Sequence, residues 1–178
     1  WLMASVMDGV DVKDAATADA ENHLLPSLEE SMLATDLKGI RVGVVRYRQG
    51  DNPHVLSVYE NALETLEAAG AELVDINDFE QPDSFWSDSY TVLLSEFHHT
   101  IDAYLADSPA DIPTRNLEAL IAFNKSDKKE LVLFNQDIFE KSLAAPAIDS
   151  DEYKSALSLV QNTAGTNGID KLMQDNGV

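Results

Sequence analysis

Ser95, His98 and Asp102 set a hydroxyl, an imidazole and a carboxylate three and four residues apart, so on a helix they share roughly one face. Such a trio works as nucleophile, base and orienting acid only beside free backbone amides that hold an oxyanion. Mid-helix amides already donate to the preceding turn, and no G-x-S-x-G turn occurs anywhere in the chain. The spacing therefore predicts a His98–Asp102 surface pair, with His99 simply exposed. Glu96, His98 and His99 lack the H-E-x-x-H order that binds zinc. Ser126 and Lys129 match S-x-x-K, and Lys125 and Lys128 lie nearby as cations. A lysine base must shed its proton near neutral pH, which burial or a cationic neighbour can bring about. This polar stretch reads as solvated.

The remaining polar groupings read as structure. Asp8, Asp11 and Asp14 lack the alternating acids, the glycine and the distant glutamate of a calcium loop. Asp149, Asp151 and Glu152 suit the positive end of a helix dipole. His23 and His54 stand isolated. The turn at residues 46–51 carries one glycine, too few for a phosphate cradle. No residue is assigned a catalytic, cofactor-binding or metal-binding role, and no cofactor is expected.

The elements that would position a site are clearer. Residues 40–46 (IRVGVVR) form a β-branched run opened by Gly39, hence a strand. Pro53 fits a helix start, and Val55, Val58, Ala62, Leu63 and Leu66 recur at helical spacing up to Gly70, a natural helix stop. Residues 71–76 (AELVDI) form a second strand. The sum is a βαβ unit with parallel strands. Beyond it the pattern is helical: a long helix after Pro82 with Trp86, Tyr90, Leu93 or Leu94, Phe97, Ile101, Tyr104 and Leu105 as its stripe; one capped by Thr114 that buries Leu117, Leu120 and Ile121; a shorter one from about Asn135 with Ile138, Phe139 and Leu143; and one capped by Ser150, interrupted at Gly165 or Gly168. Residues 8–36 read as an extended arm with at most a turn at Leu28–Met32.

The predicted class is α/β: a fragment of a mixed sheet flanked by helices, one βαβ unit followed by about four to five helices. The expected divisions are an N-terminal helical turn and acidic arm (1–38), the βαβ unit (39–80) and a helical portion (81–178), together one incomplete domain. Two strands leave open edges and an uncovered face. The abrupt ends, Trp1–Met7 and residues 174–178, likewise predict a segment of a longer product.

Twelve Lys and Arg against 32 acids give a net charge of −20. That field repels nucleic acid and anionic membranes, so neither is an expected partner. With no cysteine there is no disulfide or thiolate site, and the expected location is cytoplasmic.

Several blocks are familiar in order: residues 8–17 (DGVDVKDAAT), 37–46 (LKGIRVGVVR), 59–75 (ending AAGAELVD), 93–97 (LLSEF) with 101–105 (IDAYL), 117–124 (LEALIAFN) and 168–172 (GIDKL). The set resembles the amidase-signature family, in the bacterial branch that includes peptide amidases, over the part that follows its Gly/Ser-rich signature. The resemblance implies a mixed sheet sandwiched by helices, and amide hydrolysis through an acyl-enzyme by a serine, a bridging serine and a lysine, without metal or cofactor. Neither the Gly-Gly-Ser-Ser stretch nor its lysine occurs here, so no position inherits a role. The expectation is a non-catalytic segment that completes the sheet and shapes a pocket wall, with the remainder of the parent polypeptide as partner and a small amide or peptide amide as the parent's substrate. The competing readings are a stand-alone acidic α/β binding or scaffold module, and a degenerate hydrolase using Ser126 and Lys129.

Overall fold

The computed structural model describes residues 2–24, 36–109 and 111–178. They form two compact units, residues 1–78 with 177–178, and residues 79–176. The turn expected at Leu28–Met32 lies outside the described residues.

The first unit holds helix α1 (Leu2–Met7), strand β1 (Arg41–Val45), helix α2 (Pro53–Ala68) and strand β2 (Glu72–Ile76). The strands are parallel, with Arg41 opposite Glu72 and Val45 opposite Ile76. Each begins one residue later than the pattern suggests. Ile40 is half exposed, and its carbonyl accepts the Glu72 amide just ahead of the ladder. Asn52 caps α2, its side-chain oxygen accepting the amides of His54 and Val55, and Pro53 occupies the first turn, where an amide is not missed. Gly70 ends the helix with φ +102, a conformation that costs a side-chain-bearing residue energy. The core here is Val44, Leu63, Ala71 and Ile76. At Gly43 an added Cβ would meet Ile76 Cδ1 at 3.0 Å and Val178 Cγ2 at 3.2 Å, so the absent side chain admits both. The arm is not simply extended: 3₁₀ turns form at Ala15–Thr17, where the Asp14 carboxylate caps the turn, and at Ala20–His23, which has no side-chain cap.

The second unit contains helices α3 (Phe85–Ala106), α4 (Leu117–Ser126), α5 (Asp137–Leu143), α6 (Asp151–Ala164) and α7 (Asp170–Asn176). Five helices after β2 agree with the mixed α/β expectation. The α3 helix packs against α6, α5 and α4, and Phe97 stacks on Phe139 of α5 with centroids 5.7 Å apart. Its buried face is Phe85, Leu94 and Ser95, whereas Trp86, Leu93 and Tyr104 of the expected stripe are exposed. That stripe follows hydrophobicity alone, and the positions of α5 and α6 decide which side closes. Asn116, rather than Thr114, caps α4 by accepting the Ala119 amide at 2.8 Å. Ser150 caps α6 as expected. The interruption falls in a π-helical turn at Gly165–Ile169, where Gly168 leaves helical geometry (φ −111, ψ −107).

Two serines replace apolar residues in this core. Ser95 is 3 % exposed and Ser142 fully buried, and neither hydroxyl has a hydrogen-bond partner among the described residues. Their small side chains suit close helix packing, while each unmet hydroxyl carries a desolvation cost. Ser142→Ala is expected to leave stability unchanged or raise it by about 1 kcal/mol. A denaturant midpoint shifted clearly downward would reveal a partner for the hydroxyl.

Candidate functional site

The structure does bring Ser95, His98, His99 and Asp102 to one cleft, of about 470 Å³, whose other wall is residues 146–149. Their bonding is that of a scaffold. His98 Nε2 lies 3.4 Å from Asp102 Oδ2, the pair that the spacing predicts, with both side chains part-exposed. The other Asp102 oxygen accepts the Leu117 amide at 2.6 Å, so this carboxylate ties α3 to the start of α4. Ser95 makes no bond to His98, and its hydroxyl is sealed from solvent. An occluded oxygen on a continuous helix offers neither an attack path nor free amides.

The other groupings are likewise spent on local structure. Ser126 donates to the Phe123 carbonyl at 2.7 Å, ending α4, and the Lys129 amide donates to Asp127 Oδ1. Ser126 thus closes an exposed helix end, and Lys129 lies in the turn beyond it, held through its backbone amide. Asp11 and Asp14 accept the amides of Lys13 and Ala16. Glu96 accepts the Tyr153 hydroxyl at 2.7 Å, joining α3 to α6. His23, read as isolated, lies 3.1 Å from Asp19; an i, i+4 spacing on a short helical turn is the signal for it in the sequence. Among the described residues no group of three or more His, Asp or Glu could hold a metal ion, and no helix is long and apolar enough to cross a membrane.

Three polar constellations escape a reading of the sequence. Arg46, just past β1, donates through Nε to Asp75 at 2.8 Å and through Nη1 to Glu60 at 2.6 Å, and its guanidinium lies 5.9 Å from the Tyr59 ring centroid. The bonds to Asp75 and then Glu60 push its pKa still higher, so one fixed cation clamps both strand ends to α2. Tyr153 is the second. Its bond to Glu96, then burial, raises its pKa above the ordinary tyrosine value. Tyr153 is expected to ionise above the ordinary tyrosine range: in a spectrophotometric titration of folded protein, Tyr153→Phe should remove tyrosinate signal from the alkaline side of the transition. Because its folded pKa is raised, this contact stabilises below pH about 10 and is lost as pH climbs through the folded value. The third is a side-chain clamp in which Gln136 donates to the Ile121 carbonyl at 3.4 Å and accepts from Asn124 at 3.2 Å. It ties Gln136, just before α5, back to α4 across the segment 127–135. That segment includes Leu131, Val132, Leu133 and Phe134, four consecutive apolar residues outside every predicted stripe that are all exposed.

Among the described residues, the parallel βαβ unit and the helical unit that follows it in sequence assemble no nucleophile with a partner base. The family described as Amidase matches residues 2–174, and the chain belongs to that family. Among its relatives, the glutamyl-tRNA(Gln) amidotransferase A-type subunit of Chlorobium luteolum is 27% identical over 182 residues, covering 92% of this chain and 37% of the relative. The protein of the same name from Mycobacterium avium is 37% identical over 78 residues, 43% of this chain and 16% of the relative. Among solved structures, the native peptide amidase of Stenotrophomonas maltophilia aligns with a TM-score of 0.77 and 26% identity, over 98% of this chain and 36% of that one. An amidase family protein of Bacillus anthracis aligns at 0.71, with 96% and 32% covered. The aligned part of this chain therefore covers between 16% and 37% of the length of these relatives.

Proposed function

We propose that this chain is a non-catalytic part of a carboxamide hydrolase, in which it extends the sheet and shapes one wall of the substrate pocket while residues elsewhere in the same polypeptide form the acyl-enzyme. The observation that carries the reading is the match to the Amidase family along residues 2–174 in a sequence without the Gly-Gly-Ser-Ser stretch.

Unpartnered apolar surface supports it. Every residue of α1 is at least partly exposed, with Leu2, Met3, Val6 and Met7 largely bare. Along one flank of α2, Val55, Val58 and Ala62 line an apolar hollow with His54 and Tyr59. Soluble proteins seldom leave such patches uncovered, and a two-stranded sheet is marginal alone. The remainder of the parent is the natural cover. Arg41 Nε donates to the Gly177 carbonyl at 2.6 Å, which holds residues 177–178 beside β1, where further sheet would join.

The test is mass-spectrometric peptide mapping of the native polypeptide from its source cells, together with ammonia release from primary carboxamides. A Gly-Gly-Ser-Ser stretch and a lysine in the same polypeptide, with ammonia released, are expected. A polypeptide lacking that stretch and inert towards carboxamides would return the chain to an acidic α/β binding module.

A further inference from the structure

The chain carries two Asn-Gly pairs, Asn167-Gly168 and Asn176-Gly177, and they meet different surroundings. Asparagine is among the chemically labile residues, and a following glycine exposes it further, because no Cβ shields the next backbone nitrogen. That nitrogen can attack the asparagine's own side-chain carbon where the side chain is free to swing and the local backbone can open.

Asn167 meets both conditions. It is exposed, and its side chain enters no hydrogen bond among the described residues. It sits in the π-helical turn Gly165–Ile169, which is closed by the Asp170 amide donating to the Gly165 carbonyl. Such wide turns are rare insertions into α-helix, and glycines on either side of residues 166–167 leave the backbone little to stiffen it. Gly168 already departs from helical geometry, with φ −111 and ψ −107. Asn176 is the contrast. It ends α7 half-buried, and its side-chain nitrogen donates to the Leu172 carbonyl at 2.8 Å. The group that must leave is held there, and that bond must break before the side chain can turn.

We propose that Asn167 is a site of spontaneous, non-enzymatic deamidation, reacting ahead of Asn176 because of the turn that carries it. The Gly168 nitrogen bonds to Asn167 Cγ, the Cγ–Nδ2 bond breaks, and ammonia departs with the proton that the Gly168 amide gives up. A succinimide ring results. Water then opens the ring at either carbonyl, leaving aspartate or isoaspartate. Both products add a negative charge, and isoaspartate also lengthens the main chain by a methylene. The Gly168 side has no slack, since a Cβ there would collide with the Thr163 carbonyl and approach the Phe79 ring. A lengthened chain therefore disturbs the junction of α6 and α7. The proposal is independent of the hydrolase reading and holds whatever reaction the parent performs.

In the experiment the native full-length polypeptide is incubated in mildly alkaline buffer, with and without denaturant, and digested at intervals. Peptide mass spectrometry reads the replacement of NH₂ by OH at each asparagine. In the folded protein Asn167 is expected to convert about fivefold faster than Asn176 or more, the factor that one retained hydrogen bond supplies. In denaturant the two rates should converge, because each asparagine then has only its glycine neighbour. Equal or reversed rates in the folded protein overturn the proposal. An advantage of Asn167 that persists undiminished in denaturant overturns it too, since the turn would then not be the cause. Asn167→Gln, at an exposed position, should remove most of the isoaspartate counted with an isoaspartyl methyltransferase. An unchanged count in that variant would place the modification elsewhere.

Discussion

Leu117→Ala is expected to cost about 2–5 kcal/mol of unfolding free energy. Leu117 has no exposed surface, and it opens α4, where its amide is held by Asp102. Removing the side chain leaves a cavity at the junction of α3 and α4, and because the Asp102 bond fixes the backbone there, little collapse can refill it. Denaturant unfolding of the intact protein measures the loss. A change below about 1 kcal/mol would mean that this junction is not closed as described. Leu117→Met, which nearly conserves volume, should cost far less.

Gly168→Ala is expected to be as damaging through a different cause. A Cβ at this position would sit well inside contact distance of the Thr163 carbonyl oxygen, and close to the Phe79 ring. Backbone cannot swing aside as a long side chain does, so the π-helical turn must reopen or α6 and α7 must shift. Several kcal/mol is the usual scale of such a conflict, about 2–4 in the range of severe single substitutions. Gly165→Ala is the matched control, since an added Cβ there meets nothing within 4 Å. Thermal unfolding of both variants should show a large drop for Gly168 and a small one for Gly165; equal drops would contradict the geometry.

How far the sequence foretells this structure depends on the range over which each feature is decided. The βαβ unit is legible because its signals are local: β-branched residues in both strands, Pro53 and Gly70 at the ends of α2. Ser150 as a cap and the break near Gly168 are legible for the same reason. The face of α3 is not. Leu93 and Leu94 are equally apolar, and only the placement of α5 and α6 buries the second. Asn116 displaces Thr114 as a cap because the residue nearest the first amides wins, a matter of two positions. The long-range polar ties are invisible in sequence: Arg46 reaches Asp75 across 29 residues and Tyr153 reaches Glu96 across 57. The trio Ser95, His98 and Asp102 is visible, and its cleft exists, but only the structure assigns Asp102 to the Leu117 amide. The exposed run at residues 131–134 carries a readable signal that the stripes above leave out: four apolar residues where a loop should be polar.

The proposed role of this chain is to shape an amide hydrolase without supplying its nucleophile. Labelling the full-length parent with a serine-reactive fluorophosphonate, then locating the adduct by mass spectrometry, tests it most directly. One adduct is expected on a serine outside residues 1–178, in the same polypeptide, with loss of amide hydrolysis in proportion to labelling. An adduct on Ser126 or Ser95 would place the chemistry within this chain and overturn the proposed non-catalytic role.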